Sequence, residues 1–122
     1  MLSATLGLTQ FGVNQVTLEP RFASSQRHWH VVEDEFVIIL AGEVVLVTDA
    51  GETVLHAGMC AGFPAGRADG HRLINRSDSQ AVYLEVGTRA ADEEVLYSDI
   101  DMRARKEDGR FVYTRKSGEP YE

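Results

Sequence analysis

Short apolar runs separated by turn-forming residues dominate the chain. The runs are rich in Val and Ile, the residues between them are Gly, Asp, Asn and Ser, and no long helical period appears. They predict strands at 12–18, 25–32, 36–40, 43–48, 53–56, 60–63, 71–75 and 81–86. Short, evenly spaced strands are typical of an antiparallel sandwich or barrel rather than of alternating βα units. We therefore expect an all-β fold.

The residues between the runs indicate how the strands are joined. Ala41-Gly42 follows an apolar run, and 48–51, with the sequence Thr-Asp-Ala-Gly, predicts a hairpin turn. The polar stretch 75–79 predicts a loop. These junctions favour strands that reverse direction at each connection.

The character of the chain changes at Arg89. Charged residues crowd 92–94, 98–101 and 103–108, with few apolar anchors between them. We expect 89–122 to be a charged C-terminal extension outside a barrel core of about 12–88, both within one domain spanning 1–122. Within the extension, 111–114 has a strand pattern that could pair along a sheet edge, in this subunit or in a neighbour.

Composition removes several classes of function. With 122 residues the chain is long enough for one domain and too short for two. Its 12 Lys and Arg against 19 Asp and Glu give a formal net charge of −7, which opposes binding to nucleic acid or to anionic membrane surfaces. The single cysteine, Cys60, cannot form an internal disulfide, and no secretory signal or membrane span is apparent, so we expect a cytoplasmic location.

Three of the four histidines are placed to act together. His28 and His30 are separated by one residue, so on a strand both imidazoles point to the same face. Glu35 opens the next apolar run, from which a carboxylate can return to the imidazole pair. His71 opens a later strand after a loop rich in Gly and Pro. His56 stands apart from this set, and we interpret it as structural or exposed.

Three imidazoles and a carboxylate favour a metal ion. These ligands suit divalent Fe, Mn, Co, Ni, Cu and Zn, and the absence of thiolates argues against a closed structural zinc site. Four protein ligands on an octahedral ion leave two positions for water or substrate. The set predicts a mononuclear site.

Two stretches resemble the conserved motifs of the cupin superfamily. His28, His30, Glu35 and Gly42 match the first motif, HxH(x)3–4E(x)6G. The second motif, G(x)5PxG(x)2H(x)3N, is matched by Gly58, Pro64, Gly66, His71 and Asn75, except that four residues rather than two separate Gly66 from His71. The extra residues, 67–70, are expected to lengthen the loop over the site.

The resemblance carries specific implications. It implies an antiparallel double-stranded β-helix, or jelly-roll barrel, that is often dimeric, so a homodimer is expected. Carried over by position, the metal ligands are His28, His30, Glu35 and His71. They would hold one divalent transition metal ion per chain, whether Fe, Mn, Ni, Co or Zn.

Members of this family catalyse several different reactions, and the proposed ligands are compatible with each of them. Our leading hypothesis is a small metal-dependent enzyme, an oxidoreductase such as a dioxygenase or a sugar-phosphate isomerase or epimerase, acting on an anionic or carbonyl-bearing small metabolite. The alternative is a non-catalytic, metal-containing module that binds or senses a small ligand.

No catalytic residue beyond the metal ligands is identified from the sequence. Tyr83 and Glu85 share one face of their strand and could move a proton if that face lined the cavity. The preferred interpretation places the apolar alternates of this strand, at 82, 84 and 86, in the core and Glu85 outside. Arg67 and Arg72 flank the expected mouth of the barrel. The strand 36–40 is apolar on both faces, which predicts burial on both by a second subunit or by the C-terminal extension.

Overall fold

The structure is a computed structural model that describes residues 2–120 and is almost entirely β. It contains α1 (Leu2–Leu6), β1 (Phe11–Leu18), β2 (His28–His30), β3 (Glu35–Ala41), β4 (Glu43–Thr48), β5 (Gly51–His56), β6 (Cys60–Phe63), β7 (Arg72–Ile74), β8 (Ala81–Thr88), β9 (Glu94–Tyr97), β10 (Arg103–Glu107) and β11 (Arg110–Thr114). The predicted all-β fold is confirmed. None of the helices in the described residues is long and apolar enough to cross a bilayer.

The strands form three antiparallel sheets, with the orders β1-β8-β3-β6, β5-β4-β7 and β11-β10-β9-β2. The first two enclose the apolar core, to which alternate side chains of their strands contribute because successive side chains point to opposite faces. The buried members of this core are Leu18, Val37, Ile39, Val44, Leu55, Leu73, Ala81 and Tyr83. The arrangement confirms the antiparallel barrel.

The tight turn between β3 and β4 depends on Gly42. Its φ of 76° lies in the left-handed region, and a Cβ there would lie 2.7 Å from the carbonyl oxygen of Gln80. Only glycine meets both conditions. The predicted hairpin at 48–51 is also present, since Thr48 pairs with Gly51 at the ends of β4 and β5.

The C-terminal segment does not lie outside the core, which corrects the expectation for 89–122. Strand β9 pairs with β2, with His30 opposite Val95, and β10 and β11 continue the same sheet. Val95 and Ala104 are buried. In a strand only every second side chain needs to be apolar to seal one face, so a charged stretch with few anchors can still form a wall of the barrel.

Arg27 ties this third sheet to the rest of the barrel. Its guanidinium pairs with Asp99, which follows β9, and with Asp49 in the β4–β5 turn, each at 2.9 Å. It also donates a hydrogen bond to the carbonyl oxygen of Gly70. The segment just before the histidine pair is therefore fixed from three sides.

The outer face of β3 is not covered by the described chain, which corrects the alternative of burial by the C-terminal extension and leaves burial by a second subunit as a prediction. Glu35, Val37 and Ile39 point inward, whereas Phe36 and Leu40 are exposed on the outer surface of the described chain. The C-terminal sheet does not cover them, because it packs beside β2 at the barrel mouth.

Candidate metal centre

Strand β2 presents two imidazoles to the barrel interior. The register of β2 against β9 places His28 opposite Tyr97 and His30 opposite Val95, with Trp29 on the other face. The ring centroids of the two histidines are 5.1 Å apart. The two imidazoles that were predicted to share one face of a strand do so, as the His-x-His spacing requires.

Glu35, at the start of β3, reaches two of the imidazoles. Its Oε2 lies 3.0 Å from Nε2 of His30, and its Oε1 lies 3.4 Å from Nε2 of His71. One carboxylate thus joins side chains from β2 and from the segment just before β7.

His71 is placed by its backbone and by its ring. The amide of each of His28 and His71 donates to the carbonyl oxygen of the other, at 3.2 and 2.9 Å. The ring of Phe63 stacks on the His71 ring with a centroid separation of 3.6 Å. The longer loop before His71 is pinned at Gly66, whose amide donates to the carbonyl oxygen of His30. The extra residues therefore do not displace His71 from the site.

The ligand atoms of His28, His30 and Glu35 all lie within 4.8 Å of one another, as the ligands of a single ion must. His71 joins this group through its contact with Glu35. The protonation of His28 also fits a metal ligand. Its Nδ1 lies 2.9 Å from the carbonyl oxygen of Gln26, which can only accept a hydrogen bond. Nδ1 therefore carries the proton, and the lone pair of Nε2 is left for a ligand bond. The residues fit a divalent ion with nitrogen and oxygen ligands.

The electrostatics of the group are dominated by the imidazole–carboxylate contacts. Burial acts to raise the pKa of Glu35, but hydrogen bonds from His30 and His71 outweigh it and hold that pKa far below its ordinary value. Burial likewise acts to lower the pKa of His30, and the hydrogen bond and charge of Glu35 outweigh it and raise the pKa. The pKa of His28 is lowered, chiefly by burial. Glu35 is thus an anion, and His28 is a neutral imidazole.

A cavity of about 540 Å³ lies next to this group. Its lining includes Tyr83 and Glu85, so the preferred interpretation of the β8 alternation is wrong. The register explains this, because Glu85 pairs with buried Val37 and Tyr83 with buried Ile39, whereas Val82 and Leu84 alternate with them, are half-buried and do not line the cavity.

The two arginines expected at the mouth are not in this lining. Arg67 lines an adjacent pocket of about 160 Å³ together with Asp69, on the side of His71 formed by β4 and β6. Arg72 alternates with buried Leu73 on β7 and lines neither of these cavities. His56, as expected, is exposed, with Nδ1 3.4 Å from Oε2 of Glu43.

The sequence analysis missed the site residues contributed by the C-terminal sheet. Lys106 and Phe111 line the cavity, and Glu93 lies against the far side of His30 with none of its surface exposed. A signal was available in the alternation of side chains along a strand. Glu93, just before β9, points to the same face as Val95 and Tyr97. Its position in a run of three acidic residues concealed this signal.

Burial also shifts the groups on the inner wall. It raises the pKa of Glu85, with the charge of Glu35 adding to the effect. It raises the pKa of Tyr83 in the same way, so that this hydroxyl stays protonated at neutral pH. The wall next to the ligand group thus holds one carboxyl with increased basicity and one hydroxyl donor.

Comparison with known proteins extends these observations. A cupin-domain family model matches residues 14–87, which carry the ligand group but end before Glu93. The crystal structure of a sugar phosphate isomerase of the cupin superfamily from Silicibacter pomeroyi is 48% identical, covers 99% of this chain and 77% of its own, and superposes with a TM-score of 0.96. A protein from Acidithiobacillus ferrooxidans, provisionally named a sugar phosphate isomerase, is 25% identical with the same coverage and a TM-score of 0.89.

A third similar structure aligns over a smaller part of the chain. A Cupin 2 conserved barrel domain protein from Salinispora arenicola is 27% identical, covers 68% of this chain and 66% of its own, and has a TM-score of 0.58. No curated protein matches the chain. The family-model match over more than half of the sequence and the 48% identity across nearly all of it show that this chain belongs to the cupin superfamily.

Proposed function

We propose that the protein is a metal-dependent isomerase of sugar phosphates, with one divalent ion held by His28, His30, Glu35 and His71. The observation that carries this proposal is the composition of the cavity wall. Beside the ligand group the cavity presents Glu85, a carboxylate outside that group, together with the cationic side chains of Arg89 and Lys106. A base and a site for an anionic group are what this reaction needs in addition to a Lewis acid.

The comparisons support the same choice. The two similar structures that carry the isomerase name align over 99% of this chain, including the C-terminal sheet that supplies Lys106. The barrel-domain relative aligns over 68%. The longer alignment with the two isomerase-named structures, which includes a wall of the proposed substrate cavity, favours a substrate of the same class.

Sugar isomerisation moves a proton between adjacent carbon atoms, and Glu85 is placed to move it. Its carboxylate takes the proton from the carbon next to the substrate carbonyl and returns it to the former carbonyl carbon, while the proton of the hydroxyl on the first carbon passes to the carbonyl oxygen, so that the carbonyl and the hydroxyl exchange places. Burial raises the pKa of Glu85 and so strengthens it as a base. A bound divalent ion would supply Lewis acidity toward the substrate carbonyl oxygen. The hydroxyl of Tyr83, which stays protonated, can donate a hydrogen bond to a substrate hydroxyl.

The phosphate end of the substrate would lie against Arg89 and Lys106. These are the only Arg or Lys side chains in the lining of the cavity among the described residues. The ammonium of Lys106 is held by the carbonyl oxygen of Ala90 at 3.0 Å and lies 3.5 Å from Glu33. It is therefore positioned before a substrate arrives, which reduces the entropic cost of binding an anion.

The test compares reaction types in one experiment. Metal-free protein is reloaded separately with Fe, Mn, Ni, Co and Zn and incubated in D2O with aldose and ketose phosphates and with the matching sugars without phosphate. We expect interconversion of a phosphorylated pair, seen by NMR together with deuterium exchange at the carbon next to the carbonyl. Glu85→Gln should abolish the exchange while the metal content is unchanged.

Three results would contradict the proposal. Oxygen consumption with Fe alone would favour a dioxygenase. Tight binding of a sugar phosphate without turnover in any metal form would favour a binding or sensing module. Equal turnover of substrates with and without phosphate would remove the roles of Arg89 and Lys106.

A homodimer, expected from the sequence, stays a prediction. The exposed apolar side chains of Phe36 and Leu40, on the outer face of β3, are the surface that we expect a second copy to cover. Light scattering checks this: we expect twice the chain mass, and Leu40→Lys should reduce it toward the monomer. A monomeric unsubstituted protein at micromolar concentration would contradict the dimer.

A further inference from the structure

His30 has a second carboxylate behind it. Its Nδ1 is buried without a hydrogen-bond partner, and so is Oε2 of Glu93; these two atoms face each other at 3.8 Å. The other oxygen of Glu93, Oε1, accepts hydrogen bonds from the backbone amides of Val32 and Glu94. An unmet acceptor of a fully buried acidic side chain is therefore aimed at a buried, unmet nitrogen of a proposed metal ligand.

We propose that Glu93 is a positioning residue of the metal centre: its Oε2 accepts a hydrogen bond from Nδ1–H of His30, which directs Nε2 of the same ring toward the ligand group. The inference rests on the proposed function, since the metal site is part of it. Burial raises the pKa of Glu93, and the amides of Val32 and Glu94 on its Oε1 oppose this effect. With Glu93 ionised, Nδ1 is the donor in this pair, because a carboxylate only accepts. A small rotation of the imidazole closes 3.8 Å to hydrogen-bond length, and contacts of this kind are often long before a site is filled.

The same proton arrangement is already present at His28. There the carbonyl oxygen of Gln26 lies 2.9 Å from Nδ1 and leaves Nε2 for a ligand bond. Glu93 would do for His30 what this carbonyl does for His28, with the added effect that a carboxylate makes the imidazole a stronger donor to a cation. The two histidines of the His-x-His pair would then be oriented by different elements, one by the segment before β2 and the other by β9.

A second cation site is the competing interpretation of these atoms. Ligand atoms of His30, Glu33 and Glu93 lie within 4.8 Å of one another. However, Oε2 of Glu33 accepts from the amide of Ala90 at 2.7 Å and lies 3.5 Å from the ammonium of Lys106. Lys106 thus already supplies a positive charge to this cluster, so the geometry favours a proton on His30 over a second metal ion.

Glu93→Gln tests the hydrogen bond at nearly constant volume. The glutamine oxygen is needed by the amides of Val32 and Glu94, which turns its NH2 group toward Nδ1 of His30. A donor at that place requires an unprotonated Nδ1, so the ring has to keep its proton on Nε2, the nitrogen that faces Glu35 and would have to lose this proton to bind an ion. Glu94→Gln is the matched control, because it removes a carboxylate from the adjacent position, which points to the opposite face of β9 and lies 3.4 Å from Arg103.

Two measurements decide the matter. Zn²⁺ affinity, measured by competition with a chelator, should fall by about 10–100-fold in Glu93→Gln and stay unchanged in Glu94→Gln. Nitrogen-15 NMR of the metal-free proteins should show a proton on Nδ1 of His30 in the unsubstituted protein and in Glu94→Gln, and none there in Glu93→Gln. A residue with only a structural role would not move that proton.

The inference is overturned by any of three results: unchanged Zn²⁺ affinity in Glu93→Gln, an unprotonated Nδ1 in the unsubstituted protein, or a second equivalent of Zn²⁺ that Glu93→Gln abolishes. The Nδ1 measurement on the unsubstituted protein needs no variant, so the inference stays testable even if Glu93→Gln does not fold. Failure of the unsubstituted protein to bind any metal would contradict the proposed function instead, and the position of the proton would still be measurable.

Discussion

The rings of Phe63 and His71 lie almost parallel, with an interplanar angle of 6° and centroids 3.6 Å apart. Phe63 is the last residue of β6, and Glu35 is its partner in the register of β3 against β6. The phenyl ring therefore fixes the one proposed ligand that comes from neither β2 nor β3.

Phe63→Leu should release His71 without removing a ligand. We expect the protein to lose about 1 kcal/mol of stability from the lost stacking and to bind metal more weakly, though less so than His71→Ala does. Chemical denaturation and chelator competition measure the two effects. Phe36→Leu, on the outer face of β3, is the control: its metal affinity should equal that of the unsubstituted protein, and a similar loss in both variants would argue against the stacking role.

Metal stoichiometry tests the four-ligand set directly. Elemental analysis of the purified protein should give close to one divalent ion per chain, since ligand atoms of His28, His30 and Glu35 lie within 4.8 Å of one another and His71 contacts Glu35. His28→Ala and His71→Ala should each lower the occupancy because an octahedral or tetrahedral ion loses a strong nitrogen ligand. His56→Ala removes an exposed histidine paired with Glu43 and should leave the occupancy unchanged. Full occupancy in both ligand variants would exclude the four-ligand model.

The pH dependence of stability should report the environment of Glu85. Burial, followed by the charge of Glu35, raises its pKa in the folded protein. A raised carboxyl pKa contributes stability that is present below the ordinary value of about 4.3 and is lost as the pH rises through the folded-state value. In the metal-free protein, Glu85→Gln should therefore gain stability relative to the unsubstituted chain as the pH rises from about 4 to neutrality.

Denaturation at several pH values measures this difference. The same substitution at the exposed Glu107 of β10 is the control, and the two variants should diverge as the pH increases. A stability difference for Glu85→Gln that does not change with pH would show that the carboxyl is not desolvated in solution.

Two valines test whether the C-terminal sheet belongs to the core. Val95 of β9 is 5% exposed and Val112 of β11 is 41% exposed. Val95→Ala should cost about 2 kcal/mol through lost burial and the cavity that it leaves, whereas Val112→Ala should cost well under 1 kcal/mol. Equal small losses in thermal unfolding would mean that this sheet is not packed in solution as the structure has it.

Most strands were predictable because their apolar alternation is strong. The turn at Gly42 and the hairpin at 48–51 were also predictable, since glycine and short polar residues mark them. Strand β2 is shorter than the predicted 25–32. The reason is local: the hydroxyl of Ser25 donates to the carbonyl oxygen of Gln26, and the same oxygen lies 2.9 Å from Nδ1 of His28, so side chains occupy this carbonyl instead of a neighbouring strand.

The face of β8 could not be predicted, because this barrel inverts the usual relation between polarity and burial. Glu85 and Tyr83 line a cavity, whereas Val82 and Leu84, on the other face of β8, do not. Alternation reveals that two faces differ and does not reveal which one encloses a polar site. The proposed ligands could be found because their spacing along the sequence is typical of metal ligands. Glu93 belongs to no such motif, and its proposed role depends on its contact with His30, which the sequence does not reveal.

The strand that carries His28 and His30 is three residues long, and within the described residues its only sheet neighbour is β9. So short a strand depends on its pairing with β9 and on the backbone hydrogen bonds between His28 and His71, and its opening exposes the edge of β9. Any molecule that binds the histidine pair therefore opposes that opening by mass action. Amide hydrogen exchange across β9, β10 and β11 should therefore become slower as the occupied fraction of the site increases.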